Sequence, residues 1–298
     1  MTRLIAVTGA TGALGGRVVS RLAAGLDGAD ARLRLVVRDA SRAPSVPGAE
    51  VTAFPGGFHD PAGFTAALEG VHTLYLVSAA EAEDRLDQHL AAVRAAADAG
   101  VQRIVYTSFL NASPDAVFTL VRQHFATEQA IAATGVRHTF LRHSMYADFV
   151  PFFAVLEGDR AVLAAPGGEG RTSFVSRDDL ADVGAAVLLD DSGRFDAQAL
   201  DVTGPEAITL GEAAGLLGEI TGRPAEYRDQ TVEEAWASRR PSGHPDWEVE
   251  GWVTSYLAIR DGELATVSDV VPRVTGHPAL TVAEHLRRHP EDWAHLAR

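Results

Sequence analysis

An α/β fold built on a doubly wound parallel sheet is predicted by three features of this 298-residue sequence. Short apolar runs alternate with helix-period segments through the first half. A glycine-rich turn, Gly9-Ala-Thr-Gly12-Ala-Leu-Gly15, joins the first run to the first helix. After about residue 145 the alternation breaks. That divides the chain into a sheet domain over 1–150 and a smaller α+β C-terminal lobe over 151–298, with a soft boundary and part of the lobe returning to the sheet.

The elements follow in order. RLIAVTG is a short apolar run ending in glycine, as a strand buried on both faces would be. Val18, Val19, Leu22 and Ala23 then recur at helical spacing. Residues 33–37 and 51–54 read as the second and third strands, and Phe64 and Leu68 mark a short helix ended by Gly70. A fourth strand covers 73–77. The helix after it carries Leu86, Leu90, Val93 and Ala97 on one apolar face, with Gly100 past its end. The fifth strand is 103–108, the next helix runs to Gly135, and the sixth strand is 137–142. Beyond it, 166–171 reads as a turn and 172–189 as a strand entering a helix capped near Ser176 or Asp178. ALDVTG, a helix over Leu210–Thr221, AEYRDQT and a tryptophan-rich tail complete the chain.

Composition narrows the function. Apolar residues make up 46% and charged residues 22%, as in ordinary globular domains. The absence of cysteine excludes disulfides, thiolate nucleophiles and cysteine-bound metals. Forty acids against 26 bases leave a net charge of −14, which repels nucleic acid and anionic membrane surfaces. The start MTRLIAVTGA has no signal-peptide pattern, and no apolar run approaches the roughly 20 residues of a membrane span. A cytoplasmic protein is expected, with no nucleic-acid or membrane partner and with an oligomer allowed.

The glycine loop follows a strand and opens a helix, the context in which such spacing binds a dinucleotide in a Rossmann-type fold. Gly9 permits the tight turn, Gly12 the approach of a pyrophosphate, and Gly15 close helix–strand packing. Thr11 and Leu14 complete the set of candidate contacts in this loop. The second strand ends at Arg38, with Ser41 and Arg42 following, and a guanidinium fork suits the 2′-phosphate of NADP. Asp39 is the alternative, a ribose acid that would select NAD.

VTGATGALGGRVVSRL followed by LVVRDASRA resembles the NmrA-like branch of the atypical short-chain dehydrogenase/reductase family. VYTSFLNA, HFATEQAIAATGVRHTFLR and the late YLAIRDGELATVSDVVPRVTGHPALTVAEHL carry the resemblance across nearly the whole chain. It implies NADPH as cofactor and hydride transfer to a quinone or other conjugated carbonyl, a small aromatic or conjugated substrate. It implies that the loop Val77-Ser78-Ala79 passes the nicotinamide ribose, that Thr107 and Ser108 border the active site, and that His143 to Tyr146 run along the nicotinamide. Relatives place an acid beside an aromatic after strand three. Here Phe58 is kept, to pack on adenine, while Gly57 stands at the acid's position.

A second departure concerns catalysis. Ordinary members of the superfamily carry a Tyr-x-x-x-Lys pair, and the corresponding helix here reads RQHFATEQAI, with neither residue. His124 and Tyr146 are the competing proton donors. The structural alternative for His124 is a polar helix residue bonded to Glu128, four positions on. His124 and Glu128 lack the second histidine of a zinc motif, so no metal site is expected. Phe149, Phe152 and Phe153 are candidates for an apolar wall, and Trp252 and Tyr256 for a pocket lining; for both sets packing is the commoner reading. Two function classes remain: an NADPH-dependent reductase, and an NADP-binding redox sensor with little catalysis, which the missing Tyr and Lys also fit.

Overall fold

The computed structural model describes residues 2–26 and 30–297. The chain forms two compact units: Met1–Phe109, Gln123–Arg142 and Leu180–Leu200 make the first, and Leu110–Arg122, His143–Asp179 and Asp201–Arg298 the second.

The first unit is built on the strands β1 (Arg3–Thr8), β2 (Ala31–Val37), β3 (Glu50–Ala53), β4 (Thr73–Leu76), β5 (Arg103–Phe109) and β6 (Arg137–His143). Helices α1 (Ala13–Gly25), α2 (Pro61–Ala67), α3 (Arg85–Asp98) and α4 (Thr119–Ala133) connect them. With the later β10 (Gln198–Val202) the strands form a seven-stranded sheet in the order β10-β6-β5-β4-β1-β2-β3. Val7 of β1 lies between Leu35 of β2 and Tyr75 of β4, parallel to both. Ile5, Leu35, Leu74, Leu76 and Ile104 are wholly buried. That explains why these strands read as continuous apolar runs rather than alternating ones. Each such side chain contributes roughly 1.5–3 kcal/mol by leaving water. Strand order reverses beside β1, because β2 and β3 lie to one side and β4 to β6 to the other. Ligands of open α/β sheets bind at that reversal.

The expected elements are present, with two corrections: the strand expected from residue 172 is confined to Arg171–Thr172, its first residue lying in the expected turn, and one helix turns a different stripe inward. Helix α3 buries Arg85, His89, Ala92, Val93, Ala95 and Ala96, whereas Leu86, Leu90 and Ala97 are only half-buried. The buried stripe is turned by about one residue from the expected one, roughly 100° around the helix. Arg85 and His89 are polar yet buried, and hydrogen bonds to the Ala79 backbone compensate for lost water.

In the second unit, a three-stranded sheet has the order β12-β8-β7, from β7 (Ala154–Glu157), β8 (Arg160–Ala165) and β12 (Ala225–Asp229). A two-stranded sheet pairs β9 (Arg171–Thr172) with β11 (Ile208–Thr209). Helix α5 is the short turn Phe149–Phe152; α6 spans Arg177–Leu189, of which only Arg177–Asp179 belong to this unit. At the start of α6, Ser176 Oγ accepts from the Asp178 N–H at 3.2 Å, which resolves the cap in favour of Ser176. Helix α7 (Leu210–Thr221) matches the sequence reading residue for residue and opens with a capping box from Thr209 and Glu212. The tail carries α8 (Val232–Arg239), α9 (Asp246–Arg260), α10 (Val270–Thr275), α11 (Val282–Arg288) and α12 (Pro290–Trp293). Trp236 and Trp252 pack on Ala235, Val249 and Val253, so they act as packing residues. No described helix is long and apolar enough to cross a membrane.

Candidate functional site

A groove of about 510 Å³ opens in the first unit along the carboxyl ends of β1, β2, β3 and β4. Its centre is the glycine loop. Gly9 takes φ +63°, a conformation that favours glycine, and its carbonyl accepts from the Gly12 N–H at 2.9 Å. A Cβ on Gly15 would stand 2.2 Å from the Gly9 carbonyl oxygen, so only glycine lets α1 approach β1 this closely. No side chain caps the first turn of α1, and no acid lies in it. Its N–H groups and the positive end of the helix dipole are therefore available to a phosphate. Leu14 turns its side chain into the core, leaving its backbone N–H as its contribution.

On the β2–β3 side the groove is walled by Arg38 and Phe58. Arg38 is exposed and has no ion pair or hydrogen bond among the described residues. Asp39 is committed elsewhere: its Oδ1 accepts from the Ser41 N–H at 2.9 Å and from the Ser41 hydroxyl at 2.7 Å. Those bonds, together with Arg42 nearby, hold its carboxyl below the usual range. Asp39 thus caps the short turn Ala40–Arg42 and is not part of the groove wall. Gly57 is buried, and a Cβ there would meet the Arg38 stem at 3.4 Å. An acid in that place would sit beside the guanidinium and compete for it; glycine leaves Arg38 to a ligand.

On the β4 side, Val77, Ser78 and Ala79 form the wall. Thr8 Oγ1 donates to the Tyr75 carbonyl at 3.1 Å and accepts from the Val77 N–H at 2.8 Å. Thr107 Oγ1 accepts from the Ser78 N–H at 2.8 Å, and His89 Nε2 from the Ala79 N–H at 2.9 Å. Arg85 donates to the Ala79 carbonyl (2.9 Å), to Gln123 Oε1 (3.0 Å) and to His124 Nε2 (2.9 Å). A guanidinium has no acceptor, so His124 Nε2 must accept, and the proton of the neutral ring sits on Nδ1, facing Tyr106 Oη at 2.9 Å. His124 is 6% exposed with both nitrogens engaged. Glu128 binds elsewhere, taking Arg142 in a two-pronged pair at 2.9 and 2.6 Å and the Ser108 hydroxyl at 2.6 Å.

In the second unit His143 is wholly buried, with Nδ1 3.3 Å from the Tyr146 hydroxyl. Its Nε2 has no hydrogen-bond partner among the described residues. The Arg177 guanidinium lies over the Tyr146 ring at 4.5 Å and pairs with Asp148. The Phe149 ring lies tilted at 5.4 Å from that of Tyr146, and Phe149 and Phe152 line a cavity of about 330 Å³ with Asp148, Arg177, Asp292 and His295.

Burial pushes both His89 and His143 down to about 3, with Arg85 and Arg177 respectively adding repulsion. A histidine depressed in the folded state binds its proton more readily when unfolded, so its stabilising contribution is complete above about pH 6.5 and declines as pH falls towards 3. Denaturant unfolding should therefore show stability dropping between pH 6.5 and 5 by about 1–2 kcal/mol from each ring. A flat profile across that window would contradict buried neutral histidines.

Of the residues expected from sequence, Gly9, Thr11, Arg38, Phe58, Val77 and Ser78 line the groove. Gly12, Leu14 and Gly15 shape its central turn. Thr107, Ser108 and His124 lie buried behind it, and His143 and Tyr146 belong to the second unit. Sequence reading missed Arg85, His89 and Tyr106. The available signal was Arg85 and His89 four apart on one face of α3.

Residues 1–239 match the model of the NmrA-like family. An NAD(P)H azoreductase of Xenophilus azovorans is 30% identical over 286 residues, covering 96% of this chain and 98% of the relative. Quinone oxidoreductase 2 of Escherichia coli (strain K12) is 29% identical, covering 94% of this chain and 96% of the relative. A crystal structure of the NADPH-dependent quinone oxidoreductase QOR2 from Escherichia coli, complexed with NADPH, superposes with a TM-score of 0.83 at 29% identity, covering 98% of this chain and 99% of that one.

Proposed function

The chain belongs to the NmrA-like family, and on that premise we propose that it is an NADPH-dependent reductase acting on a quinone or another conjugated carbonyl compound. The single observation that carries the cofactor choice is the division of labour between Arg38 and Asp39. The cation lines the groove with no ion pair among the described residues, while the acid that would have marked NAD is spent on a cap. The groove suits the group in other respects: an uncapped helix N-terminus for the pyrophosphate, and Phe58 as a face for adenine. The relatives named above include reductases of quinones and azo compounds, which supports a small conjugated acceptor.

When bound, NADPH supplies two electrons as hydride to the acceptor. The chain's part is to hold the nucleotide, orient the acceptor, exclude water and return a proton to the reduced oxygen. Phe149 and Phe152 provide an apolar wall for an aromatic acceptor. Tyr146 is assigned as proton donor on the family resemblance, which runs His143 to Tyr146 along the nicotinamide; its hydroxyl lies 3.3 Å from His143 Nδ1. His124 has both nitrogens engaged by Arg85 and Tyr106 and serves as a positioning residue.

Tyr146→Phe should lower turnover with a quinone about ten-fold, below the usual contribution of a general acid because quinones accept hydride readily, while leaving NADPH affinity unchanged. Steady-state kinetics beside a binding titration checks this. Unchanged turnover in Tyr146→Phe, with a loss in His124→Ala, would reverse the two roles.

A further inference from the structure

Strand β4 ends at Leu76, so the next three residues have no strand neighbour to take their N–H groups. Each N–H instead goes to a side chain from a different element: Val77 to Thr8 of β1, Ser78 to Thr107 of β5, Ala79 to His89 of α3. Ala79 is held twice, since its carbonyl accepts from Arg85 Nε at 2.9 Å. His89 and Arg85 are 0% and 4% exposed, so this support is internal to the unit.

The hydrogens around His89 can be assigned. Nε2 accepts from Ala79, so the ring proton is on Nδ1, where Thr127 Oγ1 lies at 3.0 Å. Thr127 has already donated its own proton to the Gln123 carbonyl at 2.7 Å, and therefore accepts. His89 thus links α3, α4 and the loop in one fixed pattern. Burial and Arg85 keep the ring neutral, as the pattern requires.

We infer that His89, seconded by Arg85, is a positioning residue that sets the Val77–Ala79 loop for the nicotinamide half of the cofactor. The inference rests on the cofactor reading above. Sheet order separates the two halves: Arg38 and Phe58 stand on the β2–β3 side of the glycine loop, and Val77–Ala79 on the β4 side. A dinucleotide spans both, whereas adenosine 2′,5′-bisphosphate reaches only the first. A ligand placed by backbone atoms is sensitive to sub-ångström displacement of the loop.

The test titrates NADPH and adenosine 2′,5′-bisphosphate into the wild type, His89→Asn, His89→Gln and Thr107→Val, with thermal unfolding to confirm folding. Asparagine mimics Nδ1 and cannot reach Ala79; glutamine places an acceptor near the Nε2 position. His89→Asn should weaken NADPH about ten-fold and leave the bisphosphate within about two-fold. His89→Gln should recover most of the loss, and Thr107→Val should reproduce the same split. Should His89→Asn fail to fold, Thr107→Val decides alone. Equal weakening of both nucleotides, or equal impairment by Asn and Gln, would reduce His89 to a packing role and overturn the inference. A wild type that binds neither nucleotide would instead overturn the cofactor reading beneath it.

Discussion

Replacing Arg38 with alanine should weaken NADPH binding by roughly 30- to 150-fold, from loss of about 2–3 kcal/mol of charge-assisted hydrogen bonding to the 2′-phosphate. NADH, which lacks that phosphate, should lose no more than about two-fold. The asymmetry follows from the groove. Arg38 faces it without an ion pair, so nothing within the described residues must be broken for it to bind a ligand. Asp39 cannot compensate, because its carboxylate is held by Ser41. Arg38→Lys should recover part of the loss, as a point charge without the fork. Titration of each variant with both nucleotides gives the answer directly, and equal losses for NADPH and NADH would remove the 2′-phosphate from Arg38.

The largest stability effect is expected at Arg142. Glu128 is 1% exposed, and its carboxylate is satisfied by the Arg142 fork and the Ser108 hydroxyl. Arg142→Ala removes the countercharge and leaves the carboxylate buried, at a cost of about 3–5 kcal/mol. Removing both partners should hurt less: Glu128→Gln combined with Arg142→Met leaves no isolated charge, and the double variant should be more stable than Arg142→Ala. Denaturant unfolding of the three proteins checks the order. An Arg142→Ala protein within about 1 kcal/mol of wild type would show that water solvates Glu128 in the folded state.

The parts of this molecule that were legible in the sequence are those set by local rules. The glycine turn was readable because its spacing carries a backbone requirement, and Gly15 meets it against the Gly9 carbonyl. The strands were readable because burial on both faces makes them uniformly apolar. Helix α7 was readable from its cap and its glycine stop at Gly222. The supporting network was not. Arg85, His89, Tyr106 and His124 come from α3, β5 and α4, and no local pattern announces that polar groups so distant in sequence will satisfy one another in the interior. Arg85 and His89 lie outside the apolar stripe read from the sequence of this helix, and tertiary hydrogen bonding holds them inside. The same limit applies to Asp39 and Arg38: adjacent residues, both plausible at the ribose, separated only once the capping bonds of Asp39 were seen.

The most direct test of the central claim is consumption of NADPH by the purified protein in the presence of a panel of small quinones, followed by the absorbance of the reduced nicotinamide, with binding titrated in parallel. The account predicts saturable, protein-dependent oxidation of NADPH that requires the quinone and is much weaker with NADH. Tight NADPH binding without turnover on any quinone or enone would contradict it and would identify the groove as that of a nucleotide sensor.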